Sequence, residues 1–329
     1  MKKNNILNIG VLGAANIATR SVIPSIVSLS DVFKLTGLAS RDLSKAKSLT
    51  DSYGGKAYES YETLLAEPSI DAIYIPLPNS LHFPYVKMAL EHEKHVLVEK
   101  SLGCSLKEVD EMVDIASKNN LVLLENFQFR FHSQLQTILQ LVKSGEIGDL
   151  RSVQVAFGFP PFPDSNNIRY KQELGGGALL DAGAYAMKIA PYFLGDDIVM
   201  VHASMENDLS SGVDIWGTGV LKQKKGPLCC QFSYGFDNFY QCALELWGSK
   251  GKITANRIFT APPGVKTEFV LENENGKETI SIEPDNHFKN MLLHFHKLIV
   301  NNNGMNIEYE QNMHQSRLLQ ELKEKANDK

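Results

Sequence analysis

Residues 6–18 read ILNIGVLGAANIA. An apolar run ends at Gly13 and passes into IATRSVIPSIVSLS, a stretch of helical spacing in which Pro24 must bend the helix or limit its first turns. The pattern then recurs. KLTGLAS (34–40), DAIYIPLP (71–78), HVLVEK (95–100) and LVLLEN (121–126) are short apolar strands. DLSKAKSLTDSYG (42–54), FPYVKMALEHEK (83–94) and SLKEVDEMVDIASKNN (105–120) are amphipathic helices between them. Strand–helix alternation with near-continuously apolar strands predicts a parallel sheet covered on both faces, that is, a doubly wound α/β fold.

The texture changes after about residue 126. One more helix, FHSQLQTILQLVKSGEIG (131–148), ends in glycine. Seven β-rich runs follow: 150–159, 198–207, 213–222, 227–236, 240–249, 251–260 and 266–274. Turn chemistry such as KKGP and GSKG separates several of them. They predict a largely antiparallel sheet. Two helices close the chain at 287–300 and 310–325. The expected domains are 1–125, dinucleotide-binding, and 126–329, for substrate binding and oligomerisation. A chain of 329 residues fits two domains of ordinary size.

Composition narrows the function classes. Hydrophobic residues make up 43% and charged residues 22%, ordinary for a globular protein. A net charge of −5 without a basic stripe argues against nucleic acid as a partner. No apolar run approaches the roughly 20 residues that span a bilayer, so no membrane partner is expected. The opening MKKNNILNIGVLG faintly mimics a secretory signal, but Asn8 and the glycines interrupt it and no small-residue cleavage site follows. It reads as a strand. Cys104, Cys229, Cys230 and Cys242 form no C-x-x-C pair and no zinc spacing, so reduced thiols and a cytoplasmic location are expected. His294 and His296, two apart on a helix, face different sides and cannot form a helical metal pair. His287 is no better placed, and no metal site is expected.

GVLGAANIA sits where a first strand turns into a first helix, the place of the G-x-G-x-x-G dinucleotide turn. Gly13 fills the first glycine position, and Ala15 and Ala18 stand in the other two. Asn16 and Ile17 lie in the same turn. The second strand ends Ala39-Ser40-Arg41, where an NAD site carries an acid for the ribose. A hydroxyl and a guanidinium suit a 2′-phosphate, so NADP(H) is favoured over NAD(H), although Asp42 follows within reach of a ribose. PLPNSLH (76–82), with Pro76, Leu77, Asn79 and His82, and EKSLG (99–103), with Glu99 and Lys100, follow the next two apolar strands. All these stretches share the carboxyl edge of the sheet, where open α/β folds bind ligands. Lys100 falls where a nicotinamide ring emerges.

These residues are similar to those of the glucose–fructose oxidoreductase / inositol dehydrogenase / rhizopine catabolism family (Gfo/Idh/MocA) over nearly the whole chain. The resemblance is carried by GVLGAANIA, PLPNSLH, EKSLG in place of the family's E-K-P, and GGGALLDAGAY (175–185). ENFQFRFHSQ (125–134), IRYKQELGGGALLDAGAY (168–185) and ELWGSKGKITANRIFTAPP (245–263) bring it closer to the branch of nucleotide-sugar 3-ketoreductases. The resemblance implies a Rossmann domain followed by an α/β domain with an open, mainly antiparallel sheet. One face of that sheet covers the nicotinamide and often serves as an oligomer interface. A homodimer or homotetramer is therefore expected. By position, Lys100 is the lysine of E-K-P, with Ser101 in place of the proline, and Tyr185 is the polar residue at the end of GGGALLDAGAY.

In that stretch three glycines permit a tight turn and a close backbone approach to a ligand. The helix after them places Asp181 and Tyr185 one turn apart on one face. The reading is carbonyl reduction: NADPH reduces the C3 ketone of a nucleotide-linked, dTDP-type 3,4-diketo-2,6-dideoxyhexose. Tyr185 donates the proton, and Lys100 lowers the phenol's pKa and stabilises the alkoxide. Because Lys100 could itself be the donor, the division of labour stays open. Asp181 orients the sugar or Lys100. Arg130, His132, Arg169 and Tyr170 are the candidate contacts for the nucleotide sugar. Two alternatives stand beside this: a dehydrogenase of a free sugar, an inositol or a cyclic diol, and a non-catalytic NADP redox sensor.

Overall fold

The structure is a computed structural model and describes residues 6–328. Met1–Asn5, which include the two lysines of the signal-like opening, lie outside the described residues, as does Lys329. The chain divides into two compact units. One runs to Asn126 and takes in Phe288–Met313; the other is Phe127–His287 with the chain from His314 onward.

The first unit holds six strands: β1 (Leu7–Leu12), β2 (Phe33–Ala39), β3 (Lys56–Tyr58), β4 (Ala72–Ile75), β5 (His95–Glu99) and β6 (Leu123–Asn126). They lie in the order β3-β2-β1-β4-β5-β6, every pair parallel. This is the doubly wound dinucleotide-binding order, with its topological switch point between β1 and β4. Val11, Leu12, Ala72 to Ile75 and Val96 to Val98 are fully buried, which is why these strands read as continuous apolar runs instead of alternating ones. The crossovers carry helices α1 (Ile23–Ser28), α2 (Leu43–Tyr53), α3 (Tyr61–Leu65), α4 (His82–Glu91) and α5 (Leu106–Lys118). A π-helical turn, Ala18–Val22, runs directly into α1, with Ile23 N–H donating to Ala18 O, and Pro24, which has no N–H to donate, follows at once.

The second unit is built on α6 (Ser133–Ser144), capped by left-handed Gly145, and on eight strands. These are β7 (Leu150–Gly158), β8 (Ile198–Asn207), β9 (Asp214–Gln223), β10 (Cys229–Gly235), β11 (Gln241–Gly248), β12 (Gly251–Ala255), β13 (Thr267–Asn273) and β14 (Gly276–Ile282). Their order is β14-β13-β12-β11-β7-β10-β9-β8. Only β7 and β10 run parallel, so the sheet is mixed and mostly antiparallel, as the turn-separated runs predict. Strand β14 escapes the sequence reading because KETISI is polar and mostly exposed, as befits an edge. Between β7 and β8 lie the π-helical turn Leu179–Gly183, then α7 (Ala184–Ile189) and α8 (Pro191–Leu194).

The closing helices are α9 (His287–Asn301) and α10 (Met305–Asn327). The sequence reading assigns both to the second domain, whereas Phe288–Met313 groups with the first unit. The physical reason is a set of anchors. Tyr309 Oη donates to Leu121 O (2.5 Å) and Asn312 Nδ2 to Leu123 O (3.0 Å), at and beside β6. Farther along α10, Gln315 Nε2 donates to Ala184 O (2.8 Å), and Glu321 accepts from Met200 N–H (3.2 Å), both within the second unit.

Candidate active site

At the carboxyl edge of the parallel sheet, Gly13 has φ +116°, a conformation that disfavours any side chain. Its N–H donates to Ala39 O (2.8 Å), and a Cβ there would come within 3.0 Å of Leu77. The turns after β1, β2 and β4 therefore close on one another. Ala15 and Ile17 are half-buried and Asn16 is exposed at the tip of the turn. Ser40 is buried, and its Oγ accepts from Asp42 N–H (3.3 Å). Asp42 caps α2, accepting from Ser44 N–H (2.9 Å) and Ser44 Oγ–H (2.6 Å), and these bonds lower its carboxyl pKa. Both bonds fall on Oδ1, so one oxygen of Asp42 is engaged by its own helix. Arg41 is exposed beside it. An acid held by its own helix next to an exposed guanidinium fits a 2′-phosphate better than a free ribose hydroxyl.

The turn after β5 carries Lys100, which is half-buried, and the Lys100–Ser101 peptide is cis. Beside it Glu99 Oε1 accepts from Tyr74 Oη (2.7 Å) and Asn126 Nδ2 (2.7 Å). Burial raises the Glu99 carboxyl pKa despite these bonds and pushes the Tyr74 phenol well above its ordinary value. Glu125, itself buried, accepts from Leu102 N–H (2.8 Å) and holds the turn from below. Pro76 is buried; Leu77 and Asn79 are half-buried. His82 was expected among the cofactor contacts. It is instead fully buried, with Nδ1 2.7 Å from Ser101 O and Nε2 2.8 Å from Leu77 O, and burial pulls its pKa down to about 4. With no exposed surface it serves the turns, not a ligand.

In the second unit the three glycines make a different close approach from the one expected. Gly175 is left-handed (φ +70°), Gly176 N–H donates to Lys171 O (3.0 Å) and Gly177 N–H to Arg169 O (2.9 Å). A Cβ on Gly176 would lie 2.5 Å from Arg169 O, and one on Gly177 (φ +113°) would collide with the Asp214 carboxylate. The glycines bring the chain against its own segment 169–171 and against Asp214. Asp214 then caps the turn that follows, accepting from Leu179 N–H at 2.6 Å, and burial raises its pKa to about 6. Nothing local marks Asp214 for this role, since it lies 35 residues from the N–H it accepts.

That capped turn positions Asp181 and Tyr185. Tyr185 is buried, ringed by Phe127, Phe129, Phe157 and Phe259 at centroid distances of 5.3, 5.8, 4.9 and 5.2 Å. Its oxygen accepts from Gln128 Nε2 at 3.4 Å. None of these five neighbours stood out in the sequence, although four lie in the stretches 125–134 and 245–263 that carry the family resemblance. Asp181 pairs with Arg169, whose guanidinium also lies over the Phe162 ring (4.7 Å). Tyr170 is half-buried, and its oxygen accepts from Phe162 N–H (3.0 Å). The structure thus brings Asp181, Arg169 and Tyr170 into one neighbourhood around Phe162. Arg130 is buried and donates to Tyr192 Oη (3.2 Å). His132 departs from its expected role. It is buried and caps α6, its Nδ1 accepting from Gln134 N–H (3.0 Å), so its ring meets protein where a substrate contact was expected.

Among the described residues no cluster of three or more His, Cys, Asp or Glu could hold a metal, and all four cysteines are free thiols. His294 pairs with Glu308 (2.9 Å), and His296 packs edge-on against Phe33.

A six-stranded sheet of this order, with a glycine turn at the switch point and a lysine at its carboxyl edge, defines a nucleotide-dependent oxidoreductase scaffold. Residues 7–127 match the family described as "Oxidoreductase family, NAD-binding Rossmann fold", and residues 135–254 match the "GFO/IDH/MocA C-terminal domain". The chain belongs to the Gfo/Idh/MocA oxidoreductase family. It is 37% identical over 289 residues to the dTDP-3,4-didehydro-2,6-dideoxy-alpha-D-glucose 3-reductase of Saccharopolyspora spinosa, covering 88% of this chain and 86% of the relative. It is 31% identical over 318 residues to the D-xylose 1-dehydrogenase (NADP(+)) 2 of Haloferax volcanii, covering 96% of each. Among solved structures, a 3-ketoreductase from Actinomadura kijaniata in complex with NADP and TDP-benzene superposes with a TM-score of 0.93. It shares 30% identity, with 97% of each chain covered.

Proposed function

We propose that the protein uses NADPH to reduce the C3 ketone of a dTDP-linked 3,4-diketo-2,6-dideoxyhexose. The observation that carries this reading is the near-complete likeness to a 3-ketoreductase that holds NADP and a TDP compound. It is supported by Arg41 standing exposed beside an Asp42 already engaged as a helix cap. In this reading the turn at Gly13 to Ile17 receives the pyrophosphate, Ser40 and Arg41 the 2′-phosphate, and Pro76, Leu77, Asn79, Glu99 and Lys100 border the nicotinamide.

Bound NADPH supplies the hydride. The chain supplies the proton: the phenol of Tyr185 gives it to the C3 oxygen. The Gln128 amide stabilises the phenolate left behind, because a hydrogen bond to the charged form favours that form. Lys100 places a positive charge where the alkoxide develops. Four aromatic walls hold the Tyr185 ring in one orientation, so no rotamer has to be frozen during the reaction. The Arg169–Asp181 pair and Tyr170 receive the nucleotide sugar. Arg130, which donates to Tyr192, is a further contact for the sugar in this reading.

The test is a substrate panel with the purified protein: the dTDP-linked diketosugar with NADPH and with NADH, and D-xylose with NADP+. The xylose arm is motivated by the Haloferax volcanii relative. Reduction at C3 with a preference for NADPH supports the reading. Turnover of xylose alone moves the substrate to free sugars, and NADPH binding with no turnover favours a redox sensor.

The same reading takes the protein to be a cytoplasmic homo-oligomer, dimer or tetramer. Its four free thiols and the exposed rings of Trp216 and Trp247 on the open face of the eight-stranded sheet support this. Light scattering tests the assembly. No helix among the described residues is long and apolar enough to cross a membrane.

A further inference from the structure

We propose that His82 is a positioning residue for Lys100, its buried ring locking the turn after β4 to the turn after β5. The inference deepens the reduction proposed above and rests on the role given there to Lys100.

His82 opens α4 and has no exposed surface. A histidine kept only for volume would be replaced by an apolar residue without leaving polar atoms to satisfy, since burying an unpaired polar group is unfavourable. Both ring nitrogens here lie against backbone carbonyls of two separate segments. Nδ1 is 2.7 Å from Ser101 O, and Nε2 is 2.8 Å from Leu77 O. Ser101 directly follows Lys100, and Leu77 packs against the Gly13 turn. One ring therefore ties the glycine turn's neighbour to the lysine turn. No other type of side chain spans this gap with a nitrogen at each end, set by one rigid ring.

Two further holds act on the same turn. Glu125 accepts the Leu102 N–H (2.8 Å), and Glu108 accepts the Cys104 N–H (2.7 Å). His82 holds the residue that directly follows the lysine. Both of its partners are carbonyls, which only accept, so a neutral ring donates to one of them and the imidazolium to both. Burial and the ammonium of Lys100 oppose the imidazolium. At neutral pH a single N–H secures one carbonyl while the other end of the ring holds its place by packing.

The experiment compares His82→Phe, which keeps a planar ring and removes both nitrogens, with His82→Gln, which keeps one donor. Hydrogen exchange on the cofactor-free proteins reads the turn directly. In His82→Phe, amides 101–103 should exchange about fivefold to tenfold faster, as loss of one hydrogen bond implies, while β1 and β2 stay unchanged. In steady-state assays His82→Phe should lower kcat by about tenfold to a hundredfold, the penalty for misplacing a catalytic group by about 1 Å. The KM for NADPH should hardly move, and Gln should restore most of the lost turnover. Wild-type exchange rates at 101–103 in His82→Phe would overturn the proposal. So would a kcat loss matched by an equal loss of NADPH affinity, or Gln performing no better than Phe. If His82→Phe does not fold, the Gln variant decides: it must fold, protect 101–103 and turn over near the wild-type rate, and failure on any of these overturns the proposal. An inactive wild type would refute the proposed reaction alone, and the exchange data would still decide whether His82 locks the turn.

Discussion

Replacing Asp214 with asparagine should make the fold more sensitive to acid, by an amount the structure allows to be worked out. Asp214 caps the turn that carries Asp181 and Tyr185, and burial raises its pKa from 3.8 to about 6. The folded protein keeps this proton up to about pH 6, whereas the unfolded chain releases it near 3.8. The group therefore makes folding less favourable as pH rises through that window. The difference between 6 and 3.8, at about 1.4 kcal/mol per pH unit, amounts to about 3 kcal/mol when complete. His82 and His287 act in the opposite direction. Burial lowers both from 6.5 to about 4, so the unfolded chain takes up protons below pH 6.5 that the folded protein refuses. Their stability is fully present above 6.5 and is lost, at about 3 kcal/mol each, as pH falls to 4. In the wild type, protonation of Asp214 offsets part of that loss. Asp214→Asn removes the offset, so stability should fall by about 2 kcal/mol more between about pH 7 and about pH 4.5 in the variant than in the wild type. Urea unfolding followed by tryptophan fluorescence at both pH values measures this directly. Equal losses in the two proteins would show that Asp214 is an ordinary ionised cap whose pKa burial does not raise.

Other perturbations have equally definite outcomes. Tyr185→Phe should lower kcat by about 10² to 10⁴-fold, the usual worth of a positioned proton donor. Its thermal midpoint should hardly change, because the four aromatic walls still enclose a ring of the same shape. Lys100→Met should cut turnover far more than NADPH affinity, as fluorescence titration beside steady-state kinetics will show; equal losses would remove Lys100 from the chemistry. Arg41→Ala should weaken NADPH by about tenfold or more, the worth of a charge-assisted bond, and leave NADH unchanged in parallel titrations.

The parallel, doubly wound sheet was legible because it depends on local patterns. Fully buried parallel strands such as Ala72–Ile75 read as unbroken apolar runs, and their carboxyl ends mark the ligand edge whatever the chain does elsewhere. The features that escaped depend on distant partners. Asp214 is one acid among many until the backbone folds Leu179 onto it. His82 and His132 look like ligand contacts in sequence, since both lie beside polar residues in turns, yet each is buried against backbone groups. The glycine triplet announces a close approach without naming what approaches, and the partner is the chain itself. The aromatic walls of Tyr185 come from three separate segments that only the fold assembles. The split of the closing helices is set by two side chains, Tyr309 and Asn312, whose acceptors lie 188 and 189 residues away.

The most direct test of the account is NADPH oxidation by the purified protein with an enzymatically generated dTDP-linked 3,4-diketo-2,6-dideoxyhexose, read at the NADPH absorbance with the product identified by mass and NMR. Rapid loss of NADPH, much slower loss of NADH and a product reduced at C3 are expected. Bound NADPH with no oxidation, or a product reduced at C4 instead, would contradict it.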